Sequence, residues 1–211
     1  MTDKHRRFLG PVVEMRKLHD SAEQRIVHSA EMLDRKSLAS VGDTTGERLT
    51  ALLTETKAHT PEELAANVAR IGELLGRFAL YVPARFTDDP AEQAKYWAVR
   101  SGIFPAVGGS RPAGTTCLSE DVAFHIEDLP RATAELQALI ARHGYDACIY
   151  GHALEDNYHF IINQSFSPPA EVARYEALMN DVAELVVGRY DGSLKAEHGT
   201  GRNMAPFLRR E

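Results

Sequence analysis

Gly151-His152-Ala153-Leu154-Glu155-Asp156-Asn157-Tyr158-His159 is a polar turn between two short apolar runs, Ala147 to Gly151 and Tyr158 to Ile162. The runs are joined directly, with no helix between them, so they predict an antiparallel strand pair. The same turn concentrates imidazoles, carboxylates and an amide. His152 and His159 are seven residues apart. Two strands joined by a turn could bring them together, whereas a single helix would set them about two turns apart. Farther along, Glu197-His198-Gly199-Thr200-Gly201 repeats the mixture of acid, imidazole and permissive glycine.

Around this centre the chain alternates strand-like and helix-like patterns. Thr60-Pro61-Glu62-Glu63 predicts a helix start, with a threonine cap, a proline in the first turn and acids at the positive dipole end. That helix runs to Leu75, with Leu64, Val68, Ile71 and Leu74 or Leu75 on its apolar face. Asp88-Asp89-Pro90 starts another over Ala91 to about Arg100. Pro130 opens a third that ends near His143-Gly144. Pro168-Pro169 and Glu171 introduce a fourth through Val187, with Val172, Tyr175, Leu178, Val182 and Leu185 as its stripe. Ile26, Ala30, Met32 and Leu33 recur at roughly helical intervals between Glu23 and Leu38, followed by a loop from Gly42 to Gly46. Strands are expected at Leu49 to Thr56, Phe78 to Val82 and Asp121 to Ile126. A long functional loop is expected from Gly102 to Gly114. The first 20 residues read poorly as a regular element, and 1–24 is expected to be a tail or the remnant of a connection. The whole order suits an α+β fold, an antiparallel ferredoxin-like sheet with helices on one face. A parallel flavodoxin-like sheet would want more continuous Val/Ile/Leu strands and a phosphate loop after the first strand.

Composition excludes several function classes. The chain has 211 residues, 44% hydrophobic and 26% charged, with a formal charge of -6. That is the balance of a globular protein and disfavours broad nucleic-acid or anionic-membrane binding. No apolar run approaches the roughly 18 residues of a transmembrane segment. The amino terminus lacks an apolar targeting core, so the cytoplasm is the default location. Cys117 and Cys148 suit reduced thiols, since two cysteines this far apart make neither a disulfide framework nor a CxxC site.

Chemically, His152, His159 and Glu197 could hold Zn or Mn, which leaves His198 as a general base. Asn157 could orient a ligand or brace the turn. Arg202 could contact substrate or balance the charge of Glu197. Tyr150, Tyr158 and Phe160 read as core.

Gly151 to His159 and Ser193-Leu-Lys-Ala-Glu-His-Gly-Thr-Gly-Arg202 resemble the signature elements of the FAD-linked oxidase C-terminal domain, found in D-lactate, glycolate and D-2-hydroxyglutarate dehydrogenases. Trp97-Ala-Val-Arg100, Gly114-Thr-Thr116 and Glu120-Asp-Val-Ala-Phe124 are weaker matches in the same order. The resemblance covers residues 25–211 and is greatest to large bacterial forms that also carry an iron-sulfur module. It implies a sheet that caps the flavin, with His152, His159 and Glu197 as metal ligands and His198 as base. Asn157, Glu197 and His198 would contact the cofactor, and Arg100, Arg111, Asn157 and Arg202 the substrate. It further implies FAD held mostly by an upstream domain, an iron-sulfur cluster in another, and a small D-2-hydroxy acid, D-lactate-like, as substrate. On that reading the 211 residues are a truncated piece, inactive alone, prone to self-association, and from an enzyme that is cytoplasmic or peripheral to the membrane. The family usually has glycine where Asp156 lies, so a side chain there could narrow the pocket or add charge. A noncatalytic small-acid- or metal-binding module is the alternative, and a structural interaction domain the third.

Overall fold

The computed structural model describes residues 6–20, 25–43, 50–199 and 201–210. Its elements are α1 (Arg6–Asp20), β1 (Ser29–Leu33), α2 (Arg35–Ser40), β2 (Ala51–Glu55), α3 (Pro61–Leu75), α4 (Pro90–Gly109), β3 (Thr116–Ala123), α5 (Leu129–Arg142), β4 (Cys148–His152), β5 (Asn157–Gln164), α6 (Pro169–Ala183) and α7 (Gly201–Met204). The strands make one α+β sheet in the order β2-β1-β4-β5-β3, with every neighbouring pair antiparallel.

β4 and β5 pair as the polar turn predicts, with Tyr150 opposite His159. Between them the chain makes one 3-10 turn, Ala153–Glu155, and reverses through Asp156 at a left-handed φ of 63°. Gly151 is required here. A Cβ at that position would come within 2.6 Å of the Asn157 carbonyl oxygen and 2.9 Å of the Tyr158 Cα.

One face of the sheet presents Met32, Ile149, Tyr158, Phe160 and Ile162 to α1, α5 and α6, whose Val12, Leu136, Ile140, Leu178 and Val182 complete the main core. Burying each such side chain is worth about 1.5–3 kcal/mol. The opposite face is partly covered by the shorter α2 and the middle of α4. There Leu38 and Ile103 meet Leu33, Tyr150 and Ile161. A third cluster joins Met15 of α1 and Ile71 and Leu74 of α3 to Ile26, Val27 and Leu154. The Thr60 side chain accepts from the Glu63 N–H, so α3 begins as its sequence predicts.

Several expectations are corrected. The stretch from Glu23 to Leu38 is no helix: it contains β1 and the start of α2, and residues 21–24 lie outside the described residues. Ala30, Met32 and Leu33 mimic helical spacing because β1 is buried on both faces. The first 20 residues are not irregular over Arg6–Asp20, where α1 places Leu9, Val12 and Met15 in the core despite Pro11 within the helix; residues 1–5 lie outside the described residues. Phe78 to Val82 forms no strand, and Leu80, Tyr81 and Val82 are exposed. The expected loop from Gly102 is helix as far as Gly109. Buried Ile103 and the packing of Val107 against the sheet hold α4 together through Pro105. The strand expected at Asp121 to Ile126 begins earlier and ends at Ala123. The loop expected from Gly42 to Gly46 falls mostly on residues 44–46, which lie outside the described residues. No helix among the described residues is long and apolar enough to cross a membrane.

Candidate functional site

Strand alternation builds the floor of the site. Glu31 lies opposite His152 across β1 and β4, and His159 lies between Tyr150 of β4 and Asp121 of β3. These five side chains share the sheet face turned away from the main core. α4 crosses that face, bringing Trp97, Arg100 and Ser101 over the strands. The segment before α7 brings Glu197 and His198 from the other side. The result is an open cavity of about 750 Å³ lined by residues from all three sources.

The predicted ligand trio converges. Glu197 Oε1 is 2.8 Å from His159 Nε2 and 3.3 Å from His152 Nε2. His198 stacks on His159, with ring centroids 4.7 Å apart and planes 7° apart. Its Nε2 is 3.6 Å from Glu197 Oε1. Arg100 also reaches the cavity, where its guanidinium lies over the Tyr150 ring.

The remaining predicted residues sit elsewhere. Arg111 lies outside the cavity lining, where it caps the end of α4 by donating to the Gly108 and Thr115 carbonyl oxygens. Asn157 is buried at the start of β5 and does not line the cavity. Arg202 is exposed on α7, also outside the lining. Asp156 turns away from the cavity toward α1. Arg16 Nη1 is 3.9 Å from its carboxylate and also donates to the Leu154 carbonyl oxygen.

Two acids that carried no assigned role complete the site. Glu31, 3% exposed, sets Oε1 2.5 Å from His152 Nδ1 and Oε2 3.0 Å from Arg100 Nε. Asp121, 2% exposed, accepts through Oδ2 from the backbone N–H groups of Glu197 (2.6 Å) and His198 (3.0 Å), and its Oδ1 is 3.8 Å from His198 Nδ1. A lone acid within the apolar run Ala30 to Leu33 was the available signal for Glu31. Asp121 was visible only as part of a weak motif. Tyr150, read as core, lines the cavity as well.

Electrostatics divides the two histidines. Burial disfavours charge on Glu31, but the hydrogen bond from His152 and the Arg100 guanidinium outweigh it and hold the carboxyl below its usual range. The hydrogen bond to Glu31 raises the His152 pKa in turn. Burial pulls His159 down to about 4 against the attraction of Glu197, so its ring is neutral near pH 7. A neutral imidazole, a second imidazole oriented through Nδ1 and a shared carboxylate can bind a divalent metal or exchange protons with a ligand.

Sequence comparison gives the class. Residues 15–211 match the family "FAD linked oxidases, C-terminal domain", and the chain belongs to it. Among curated proteins it is similar to glycolate oxidase subunit GlcD of Escherichia coli, 33% identical over 118 residues that are 56% of this chain and 23% of that protein. It is similar also to D-2-hydroxyglutarate dehydrogenase of Xanthomonas citri pv. viticola, 33% identical over 123 residues, 56% of this chain and 25% of that one. The chain thus spans about a quarter of the length of these relatives. A 4-ethylphenol oxidase from Gulosibacter chungangensis, solved with isoeugenol, aligns over 83% of this chain and 40% of its own, at 11% identity and a TM-score of 0.47.

Proposed function

We propose that this chain is the substrate-binding and cap domain of an FAD-dependent dehydrogenase acting on a small D-2-hydroxy acid. The observation that carries the reading is the convergence of His152, His159, Glu197 and His198 on one open cavity beneath Arg100. Family membership supports it, as do relatives named for glycolate and 2-hydroxyglutarate. FAD-binding and iron-sulfur regions of a longer protein, in the cytoplasm or peripheral to the membrane, are the partners this reading requires.

The residues present fit both groups the family implies. For Zn or Mn, one atom each of His152, His159 and Glu197 lies within 4.8 Å of the others, and the Glu31 contact at His152 Nδ1 leaves Nε2 facing the cavity. For FAD, the open mouth of the cavity leaves room for one side of a flavin ring beside the Glu197–His198 rim, while its phosphates would be anchored elsewhere. A metal held by His152, His159 and Glu197 would supply Lewis-acid polarisation of a substrate oxygen, and FAD would supply the acceptor for the two electrons and the hydrogen of the α-carbon.

The chain's own residues supply the rest. Arg100 orients the carboxylate with whichever guanidinium nitrogens Glu31 leaves free. His198 accepts the hydroxyl proton at Nε2, and the electron pair of the breaking C–H bond leaves as the alcohol becomes a 2-oxo acid. Asp121 holds the backbone at Glu197 and His198 and sits at the far nitrogen of the base. In the flavin-bearing protein, His198→Ala should slow rapid-reaction reduction of bound FAD by about 10²-fold or more while leaving FAD bound. Near-normal flavin reduction at saturating substrate would remove His198 from this role.

A further inference from the structure

We propose that the cavity selects 2-hydroxy acids with a single carboxylate and an apolar side chain, and that Trp97, Ala94 and Ala98 of α4 form the side-chain pocket. This rests on the substrate reading above and narrows it. His152, His159, Glu197 and His198 form the floor and far rim, and the wall opposite is the α4 face carrying Ala94, Trp97 and Ala98, with Ser101 at its end turning its hydroxyl back onto the Trp97 and Ala98 carbonyl oxygens. Residues three and four apart on a helix share one face, so the two alanines flank the indole and leave space beside it. A ligand matching this layout carries its oxygens at one end and a hydrocarbon group at the other.

Charge excludes a second carboxylate. Among the described residues, Arg100 is the only arginine or lysine lining the cavity. Its Nε is already committed to Glu31 at 3.0 Å, and Nη2 lies 3.3 Å from His152 Nε2. One guanidinium so tied can serve one carboxylate. A second, at the end of a five-carbon diacid, would lie against Trp97 and the alanines with no cation beside it, or turn toward Glu197. The first placement gains no ion pair from this chain, and the second sets two like charges together. A branched hydrocarbon in the same position covers the indole and is favoured by each buried methylene.

Trp97 is the chain's one tryptophan, so its emission reports occupancy of this pocket without flavin. The 211-residue chain is titrated with D-2-hydroxy-4-methylpentanoate, D-lactate and D-2-hydroxyglutarate, each with and without Zn²⁺. The branched acid should change Trp97 emission with a Kd at least about tenfold below that of hydroxyglutarate, and also below that of lactate. Ala98 is exposed, so Ala98→Arg alters the wall without disturbing the core. It should reverse the order of the branched acid and hydroxyglutarate. Trp97→Ala, followed by calorimetry, should weaken the branched acid about tenfold and lactate less than threefold. Hydroxyglutarate binding as tightly as the branched acid to the unaltered chain overturns the inference and leaves the substrate reading standing. So does an unchanged order in Ala98→Arg. Failure of all three acids to bind this chain is followed by the same titration of the flavin-bearing protein, and failure there too overturns the substrate reading, and the inference with it.

Discussion

Glu31 and His152 face each other across β1 and β4, with the Glu31 Oε1 2.5 Å from the His152 Nδ1. Backbone register alone sets them side by side, so the imidazole is oriented before any ligand arrives. With Nδ1 directed at a carboxylate, Nε2 is the nitrogen left for the cavity. Arg100 closes the triangle from α4 and ties the helix to the sheet at the rim of the site.

Breaking this contact should show in both stability and titration. Glu31→Gln removes a buried charge that two cationic partners face, and should cost on the order of 3 kcal/mol. The His152 pKa, raised chiefly by that hydrogen bond, should fall. A raised histidine pKa contributes stability below its unfolded value, and that contribution is lost as pH rises through the folded value. The penalty should therefore be largest in mildly acidic solution and shrink above it. NMR titration of His152 together with urea melts at several pH values checks both parts; an unmoved His152 would show that Glu31 does not govern it.

His159 has the opposite sign. Its pKa is depressed to about 4 by burial, so between the unfolded value of 6.5 and about 4 the unfolded chain binds the extra proton. Stability should fall as pH drops through that window, by about 3 kcal/mol at most. Comparison with His159→Gln isolates the effect from the opposing slope of His152. Equal pH dependence in the two proteins would rule it out.

Asp121→Ala should loosen the acid–base segment while sparing the sheet. Two backbone N–H groups lose their acceptor, which costs roughly 1–3 kcal/mol. Hydrogen exchange at Glu197 and His198 should accelerate at least about tenfold, with exchange in β4 and β5 little changed. Unaltered protection at 197 and 198 would mean that other contacts hold the segment.

The two turn residues should respond unequally. Gly151→Ala drives a Cβ into the Asn157 carbonyl oxygen and should cost more than about 2 kcal/mol. Asp156→Gly relieves a left-handed conformation and gives up the distant Arg16 contact. It should leave Tm within a few degrees and Zn²⁺ affinity unchanged, because Asp156 faces α1 and not the cavity. Tighter or weaker metal binding in that variant would contradict this placement.

The parts of the fold legible in the sequence were those with local punctuation. Thr60-Pro61, Pro130 and Pro169 mark helices that form where expected, and the turn at Asn157 joins the pair expected of it. β1 was misread because burial on both faces erases the two-residue alternation that marks a half-exposed strand. The second half of α4 was misread because Gly102 and Pro105 argue against helix locally, while Ile103 and Val107 find their burial only once the sheet exists. The site divides in the same way. His152, His159, Glu197 and His198 announced themselves by type and spacing. Glu31 and Asp121 act through register and backbone contacts, which do not show until the strands are paired.

The edge strand β3 has one more consequence. Its Ala123 bridges Ser193, its Asp121 holds Glu197 and His198 on one face, and its Glu120 accepts from Asn203 on the other. β3 thus holds the backbone of the proton-handling segment, whose own residues from 195 to 199 bury little apolar surface. During synthesis the histidines of the floor are made first, and the base must wait for residues more than seventy positions beyond Asp121. Over longer times the same arrangement lets substitutions around Glu197 and His198 retune the proton-handling groups with little cost to the core, because that segment is exposed while the floor histidines are built into the sheet.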